Sequence, residues 1–321
     1  MAVLRFLGNL FLALILVLLI AGILFLGYSV MASRTWETAD LGDGVESGEW
    51  LWLEGRPFYY RAAGPEQGPA LVLVHDFAVE GLEAWGSEIW GLSKSGIRVI
   101  AVDLKGFGRS VRDPSPTYTL RSQATVLAQM LNALRLSGAT VAGYGWGSAV
   151  ALQLAYEQPQ FVGRLVLIAP RVHEQPRPLW QPVAQVPYLG RAAAWAVDVG
   201  GPVWALLRQR DYADPGQFTR EERRRLGAPG HIVGTLDALL AMAATPPEDD
   251  LPAALRNVGV PTLIILGQND SPQARQEAVR LSRELADAQV VVIPETGRAV
   301  HREQGAAVNR RLAEFCLGGA R

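Results

Sequence analysis

The chain has 321 residues, 49% of them apolar, and a formal net charge of −1 from 30 Lys and Arg against 31 Asp and Glu. That suffices for one good-sized domain with additions, and the near-neutral balance without a long basic stripe excludes nucleic acid as an expected partner. Lys94 and Lys105 are the only lysines, so the positive charge is nearly all arginine, which cannot act as a general base, and the single cysteine, Cys316, excludes an internal disulfide or a cysteine metal site and reads as a small core residue.

The segment Phe6–Val30 carries no charge. As a helix it rises roughly 37 Å, enough to cross a hydrocarbon core of about 30 Å. Residues 1–34 are therefore expected to be an uncut transmembrane anchor, with residues 6–30 in the membrane. Arg5 and the amino terminus precede the run, and Glu37, Asp40, Asp43, Glu46 and Glu49 follow it. This predicts a single pass with the N-terminus cytoplasmic and the main domain extracytoplasmic, a bias that Arg34 weakens. The competing expectation is a signal peptide cut near Val30–Ala32, for which the apolar core is long. Residues 35–48, with Gly42, Gly44 and Gly48, read as a polar linker.

From Glu49 onward, EWLWLEG and PFYYRAAG predict paired strands. Ala70–Phe77, Ile97–Leu104, Ala139–Tyr144, Arg164–Pro170, Pro261–Gly267 and Gln289–Pro294 are short continuous apolar runs, suited to strands buried on both faces of a parallel sheet. Between them Leu127, Met130, Leu131 and Leu134 fall on one helical face, and residues 272–286 and 304–316 also read as helices. Alternating strands and helices predict an α/β fold, a mostly parallel sheet covered on both faces. Residues 171–255 break the rhythm with prolines and the aromatics Trp180, Tyr188, Trp195, Trp204 and Tyr212. They are expected to be a helical cap over the sheet, splitting the core into 49–170 and 256–321. Within the cap, TREE at Thr219–Glu222 has the form of a capping box, and Arg223–Arg225 reads as a solvated helix face. His173 and His231 lie in no motif.

Several segments, in order, resemble the α/β-hydrolase family with a helical cap. LVLVHDF is similar to the strand and oxyanion-hole turn, VDLKGFGRS to the next strand and loop, and GYGWGSA to the nucleophile elbow. LIILGQND is similar to the segment that delivers the acidic triad member, and ETGRAVHREQ to the loop that delivers the histidine. The resemblance runs from about Trp50 to Phe315. It implies a Ser, Asp or Cys at position 145, a His at 298 and an acid at Asp270, with the backbone N–H groups of Phe77 and Trp146 as oxyanion donors.

Three positions depart from that pattern. The nucleophile position is Gly145, without a side chain. The histidine position is Arg298, which has donors and no acceptor. The His-Gly of the oxyanion turn has become His75-Asp76. Asp76 either points to solvent or bonds within its turn, or it brings negative charge against a developing anion. Asp270 keeps the acid position and is expected to pair with Arg298. His75 reads as a structural histidine, and Ser148 as a small residue packing helix on sheet.

These departures make covalent hydrolysis an unexpected activity, since losing a triad serine or histidine costs on the order of 10⁶ in turnover. The expectation is a membrane-anchored, non-catalytic hydrolase-like protein, needing no cofactor and no metal. A small apolar ligand or a protein partner would use a pocket between sheet and cap, with His75, Asp76, Tyr144, Trp180 and Trp204 as candidate lining residues. Two alternatives stand beside it. One is a hydrolase of an ester, epoxide or halide with a rearranged site, in which His301 acts with Asp270. The other is a membrane-tethered scaffold binding through the cap.

Overall fold

A computed structural model describes residues 2–45, 47–86, 88–113, 118–173, 178–245 and 255–318. Its sheet has eight strands among the described residues: β1 (Glu49–Leu53), β2 (Arg56–Ala63), β3 (Ala70–Val74), β4 (Arg98–Val102), β5 (Ala139–Tyr144), β6 (Val162–Ile168), β7 (Thr262–Gly267) and β8 (Ala288–Ile293). Their spatial order is β1-β2-β4-β3-β5-β6-β7-β8. The β1–β2 hairpin and the β2–β4 pair are antiparallel, and all later pairings are parallel.

The two-residue period of the strands sorts the core. Val72 and Val74 enter one hydrophobic cluster, with Leu127, Met130 and Leu131 of α3 (Leu120–Ala133) and Val150 and Leu154 of α4 (Gly147–Glu157). Leu71 and Leu73 enter the other, with Ile89 and Leu92 of α2 (Glu88–Ser93) and Val308 and Leu312 of α10 (Gly305–Cys316). Cys316 is buried in that second cluster. One strand departs from expectation: β8 is not covered on both faces, and Val290 and Val292 are exposed, because it closes the sheet as its last strand.

Between β6 and β7 the chain builds a helical layer from α5 (Leu189–Asp198), α6 (Pro202–Gln209), α7 (Arg220–Gly227) and α8 (Thr235–Ala244). Here half of the expected capping box forms. Thr219 Oγ1 accepts from the Glu222 N–H at 3.2 Å, but the Glu222 carboxylate accepts from the Tyr212 hydroxyl at 2.7 Å instead of reaching back. Nor is the arginine run wholly solvated, since Arg225 reaches the Glu83 carboxylate at 3.5 Å.

The chain enters this layer through a latch. Glu277 of α9 (Pro272–Glu284) accepts from the backbone N–H of Val172 at 2.8 Å and of His173 at 3.0 Å. The His173 ring lies between Glu277 and Glu284, its Nδ1 3.0 Å from one and its Nε2 2.9 Å from the other. Burial pulls the ring's pKa down, but the two carboxylates outweigh it and the pKa is raised. A raised folded-state pKa gives stability that is complete below the unfolded value of about 6.5 and lost as pH rises through the folded one. A His173→Gln chain is therefore expected to melt below wild type at pH 6, with the gap closing by pH 9. A gap independent of pH would mean that the ring's charge contributes nothing.

The N-terminus is one continuous helix, α1 (Ala2–Thr35). Within its Arg5–Thr35 portion an 18-residue window reaches a mean hydropathy of 3.1, and the helix is long and apolar enough to cross a membrane, a property that a signal sequence shares. The segment after it is no free polar linker. Trp36 stacks on the His231 ring at 4.1 Å, and Ala39 forms a bridge with Ile232.

Candidate functional site

Strand β5 ends at Tyr144 and α4 begins at Gly147, so the chain must reverse within two residues. Gly145 makes that turn with φ of 57°, a left-handed conformation that a residue with a Cβ adopts at a cost of roughly 1–2 kcal/mol. The turn is held by Gly145 N–H on Ile168 O at 2.9 Å and by Ser148 Oγ, which donates to Gly143 O at 2.8 Å. Ser148 is fully buried in that role.

The space over Gly145 is filled. A Cβ built there would overlap the Asp76 carboxylate and lie 2.7 Å from Arg298 Nη2. Asp76 follows β3, which flanks β5 on the side opposite β6, and its Oδ1 accepts from the Trp146 N–H at 2.7 Å. Its Oδ2 accepts from Arg298 Nη2 at 2.5 Å. Burial pushes the Asp76 carboxyl up, but Arg298, Arg171 and the Trp146 N–H together outweigh it and hold it well below the usual carboxylate range. Burial disfavours the Arg298 cation, yet Asp76, Tyr144 and Asp211 keep it charged. Its guanidinium also lies over the Tyr144 ring, 5.2 Å from the centroid.

The pair continues into the cap. Asp211, just beyond α6, lies 3.5 Å from Arg298 and 3.6 Å from Arg208, and Arg208 lies 3.6 Å from Glu80. Glu80 in turn faces Arg302 at 3.4 Å. The backbones meet at the same place: Ala299 N–H donates to Asp211 O at 2.8 Å, and a Cβ on Gly297 would lie 2.6 Å from that oxygen. Glu303 fastens the contact, accepting from the N–H groups of Gly297 at 2.6 Å and Ala213 at 2.7 Å.

Asp270 stands apart from this chain of charges. The expected Asp270–Arg298 ion pair does not form, because Arg298 turns to Asp76 and Asp211. Asp270 Oδ1 accepts from the Ser271 N–H at 2.6 Å, and its buried Oδ2 has no partner among the described residues. Burial raises its pKa, against the Ser271 N–H and Arg298.

The histidines are placed as supports. His75 is fully buried; its Nε2 accepts from the Leu104 N–H at 3.0 Å, so Nδ1 carries the proton and donates to Asp76 O at 2.6 Å. Burial lowers its pKa, as suits a neutral ring. His301 does not face Asp270. It is fully buried between Trp85 and Tyr144, its Nε2 3.1 Å from Ala84 O, and burial together with Arg302 holds it well below its ordinary pKa.

A cavity of about 290 Å³ lies between cap and core. Asp76, Phe77, Arg171, Leu179, Leu207 and Arg208 are among its walls. Phe77 packs edge-on against Trp146, ring centroids 5.4 Å apart. His75, Tyr144, Trp180 and Trp204 are not lining residues. Trp180 is buried and donates to Asp198 at 2.7 Å, while Trp204 packs with Tyr212, Phe218 and Leu226 inside the cap. The missing side chain at Gly145 adds no room to the cavity, because Asp76 occupies the space it leaves.

The alpha/beta hydrolase fold family matches residues 69–303. The chain belongs to that family. It is 26% identical over 287 residues to the AB hydrolase superfamily protein YfhM of Bacillus subtilis, covering 85% of this chain and 98% of that one. It is 37% identical over 115 residues to a haloalkane dehalogenase of Mycolicibacterium paratuberculosis, covering 34% of this chain and 36% of that one. Among solved structures, Cfl2 from Burkholderia cenocepacia superposes with a TM-score of 0.71 at 22% identity, covering 84% of this chain and 95% of that one. Within the family frame, Asp211, Arg208 and Glu80 are the site residues that sequence reasoning missed. The first two lie in a cap without motifs, and only Glu80, beside the oxyanion turn, lay near a recognisable segment.

Proposed function

We propose that this member of the alpha/beta hydrolase fold family is a membrane-anchored pseudo-hydrolase that binds a ligand between cap and core and does not turn it over. One observation carries the proposal: the Asp76 carboxylate takes the Trp146 N–H and the space above Gly145. A hydrolytic centre holds such a donor ready for negative charge that develops during the reaction. Here a permanent anion sits on it, neutralised by Arg298, so the site resembles a hydrolase whose oxyanion is built in. No nucleophile and no free base faces the cavity at the motif positions. Phe77, Leu179, Val197 and Leu207 supply the apolar wall that a small ligand would use. The rearranged hydrolase is disfavoured by His301, which is fully buried against Tyr144 with its Nε2 on Ala84 O.

The apolar α1, carried as an uncut helix, is the anchor, with the N-terminus cytoplasmic and the main domain extracytoplasmic. The mass of the mature chain tests the anchor, and a chain starting at Ser33 excludes it. For the chemistry, the purified full chain is expected to hydrolyse no member of an ester, epoxide and haloalkane panel above background, and a fluorophosphonate probe should leave Ser148 unlabelled. Multiple turnover that Asp270→Ala or His301→Ala abolishes would replace the pseudo-hydrolase with the rearranged enzyme.

A further inference from the structure

The last turns of α1 belong to the cap. Ser29 and Ser33 are buried, and the Tyr28 and Trp36 rings both meet Trp195 of α5 at 5.7 Å. Beyond the helix, the N–H groups of Thr38 and Ala39 donate to His231 O at 2.9 and 3.0 Å. Glu37 accepts from the Leu236 N–H at 2.6 Å and pairs with Arg191 at 2.5 Å. A joint of this kind fixes the height of the cap along α1.

That height is set by the hydrocarbon thickness. About 20 residues cross the core. A span counted from Phe6, where the exposed apolar residues start, therefore ends near Phe25, which places Tyr28 to Arg34 at the lipid–water boundary, where aromatic and basic side chains are favoured. The residues of α1 that grip the cap are the ones at the boundary. Beside them the cap exposes apolar side chains. Tyr188 is 64% exposed with the Arg34 guanidinium 5.0 Å over its ring, and Val186 and Leu179 are 46% and 75% exposed. Leu179 also lines the cavity, so it stands at the rim. Asp198, another wall residue, is one helical turn beyond Trp195.

We propose that the cap is seated on the bilayer surface, with Leu179, Val186 and Tyr188 entering the headgroup region, so that the cavity opens at the lipid interface and takes from the membrane an amphipathic ligand, its apolar part against Leu179 and Leu207 and its polar part against Arg171 and Arg208. This rests on the proposal that α1 is an uncut span. Without a bilayer, these side chains would be an apolar patch in water beside an apolar helix; against lipid they continue it.

The test uses the full chain in vesicles of phosphatidylcholine and phosphatidylglycerol. Single cysteines replace Leu179, Val186 or Tyr188 and carry an environment-sensitive fluorophore; native Cys316 is buried and stays unlabelled. Leu18→Cys reports the span, and Trp52→Cys and Val292→Cys report the two opposite edges of the sheet. Lipids bearing a nitroxide near the headgroup are expected to quench the labels at 179, 186 and 188 at least twofold more than those at 52 and 292, while deep nitroxides quench the label at 18. Quenching at 18 with none at 179, 186 and 188 overturns the seating and leaves the span intact. No quenching at 18 overturns both.

Discussion

Replacing Arg298 with methionine is expected to destabilise the domain by roughly 3–5 kcal/mol, because it strands a buried carboxylate. Asp76 is 5% exposed, and the substitution leaves it with the Trp146 N–H as its remaining hydrogen-bond donor. In thermal melts of the full chain this corresponds to a loss of roughly 6–20 °C. Removing both charges, as Asp76→Leu with Arg298→Met, should recover most of the loss, since a buried pair exchanged for apolar groups is often neutral. The pH dependence follows from the depressed Asp76 pKa. A carboxylate of lowered folded pKa gives stability that is present above its unfolded value of about 4 and lost as pH falls through the folded one. In Arg298→Met the burial that Arg298 outweighed raises the Asp76 pKa instead, so the variant recovers stability as its carboxyl protonates, and the gap should be smaller at pH 5 than at pH 7. A loss below about 1 kcal/mol would place the pair in solvent-screened surroundings and remove the physical basis for Asp76 and Arg298 acting as a plug over Gly145.

The strands were legible because their chemistry is local. ATVAGY spans β5 residue for residue, and PTLIILG contains all of β7, since an apolar run flanked by Gly or Pro carries its own boundaries. The helices between β6 and β7 were legible mainly as a loss of rhythm between residues 171 and 255, of which 174–177 and 246–254 lie outside the described residues. At the site, the missing oxygen at Gly145 and the misplaced cation at Arg298 could be read by register against family motifs. Their mutual arrangement could not. Asp76 and Arg298 are 222 residues apart in sequence, and nothing local reports that one meets the other. A usable signal was present nonetheless: two departures of opposite charge, at positions that the family brings together, suit each other better than either suits water. Asp270 was misjudged because pairing was assigned by motif proximity. Arg298 had a nearer acid in Asp76 and a third in Asp211, a cap residue without any pattern.

If the plug is what separates this chain from its hydrolytic relatives, removing it should restore chemistry. Gly145→Ser alone is expected to fail. The turn's φ of 57° costs the new side chain roughly 1–2 kcal/mol, and its Cβ would overlap the Asp76 carboxylate. Combined with Asp76→Gly and Arg298→His, the same substitution relieves the overlap, frees the Trp146 N–H and supplies a base. The acid is already in place: Asp270 Oδ2 is buried without a partner among the described residues, which is the acceptor that a histidine Nδ1–H needs for its orientation and tautomer. The triple variant should hydrolyse p-nitrophenyl butyrate at least about 10²-fold faster than the parent chain, well short of the on the order of 10⁶ that a mature triad contributes. Adding Asp270→Asn should remove most of that gain, since an asparagine holds the imidazole in the wrong tautomer at a cost of up to about 10⁴ in kcat. A folded triple variant whose introduced serine neither hydrolyses ester nor reacts with a fluorophosphonate would show that Asp76 and Arg298 are not what blocks the chemistry. The obstruction would then lie in the cap contact at Asp211, where the Ala299 N–H and Gly297 close the cap on the loop that carries position 298.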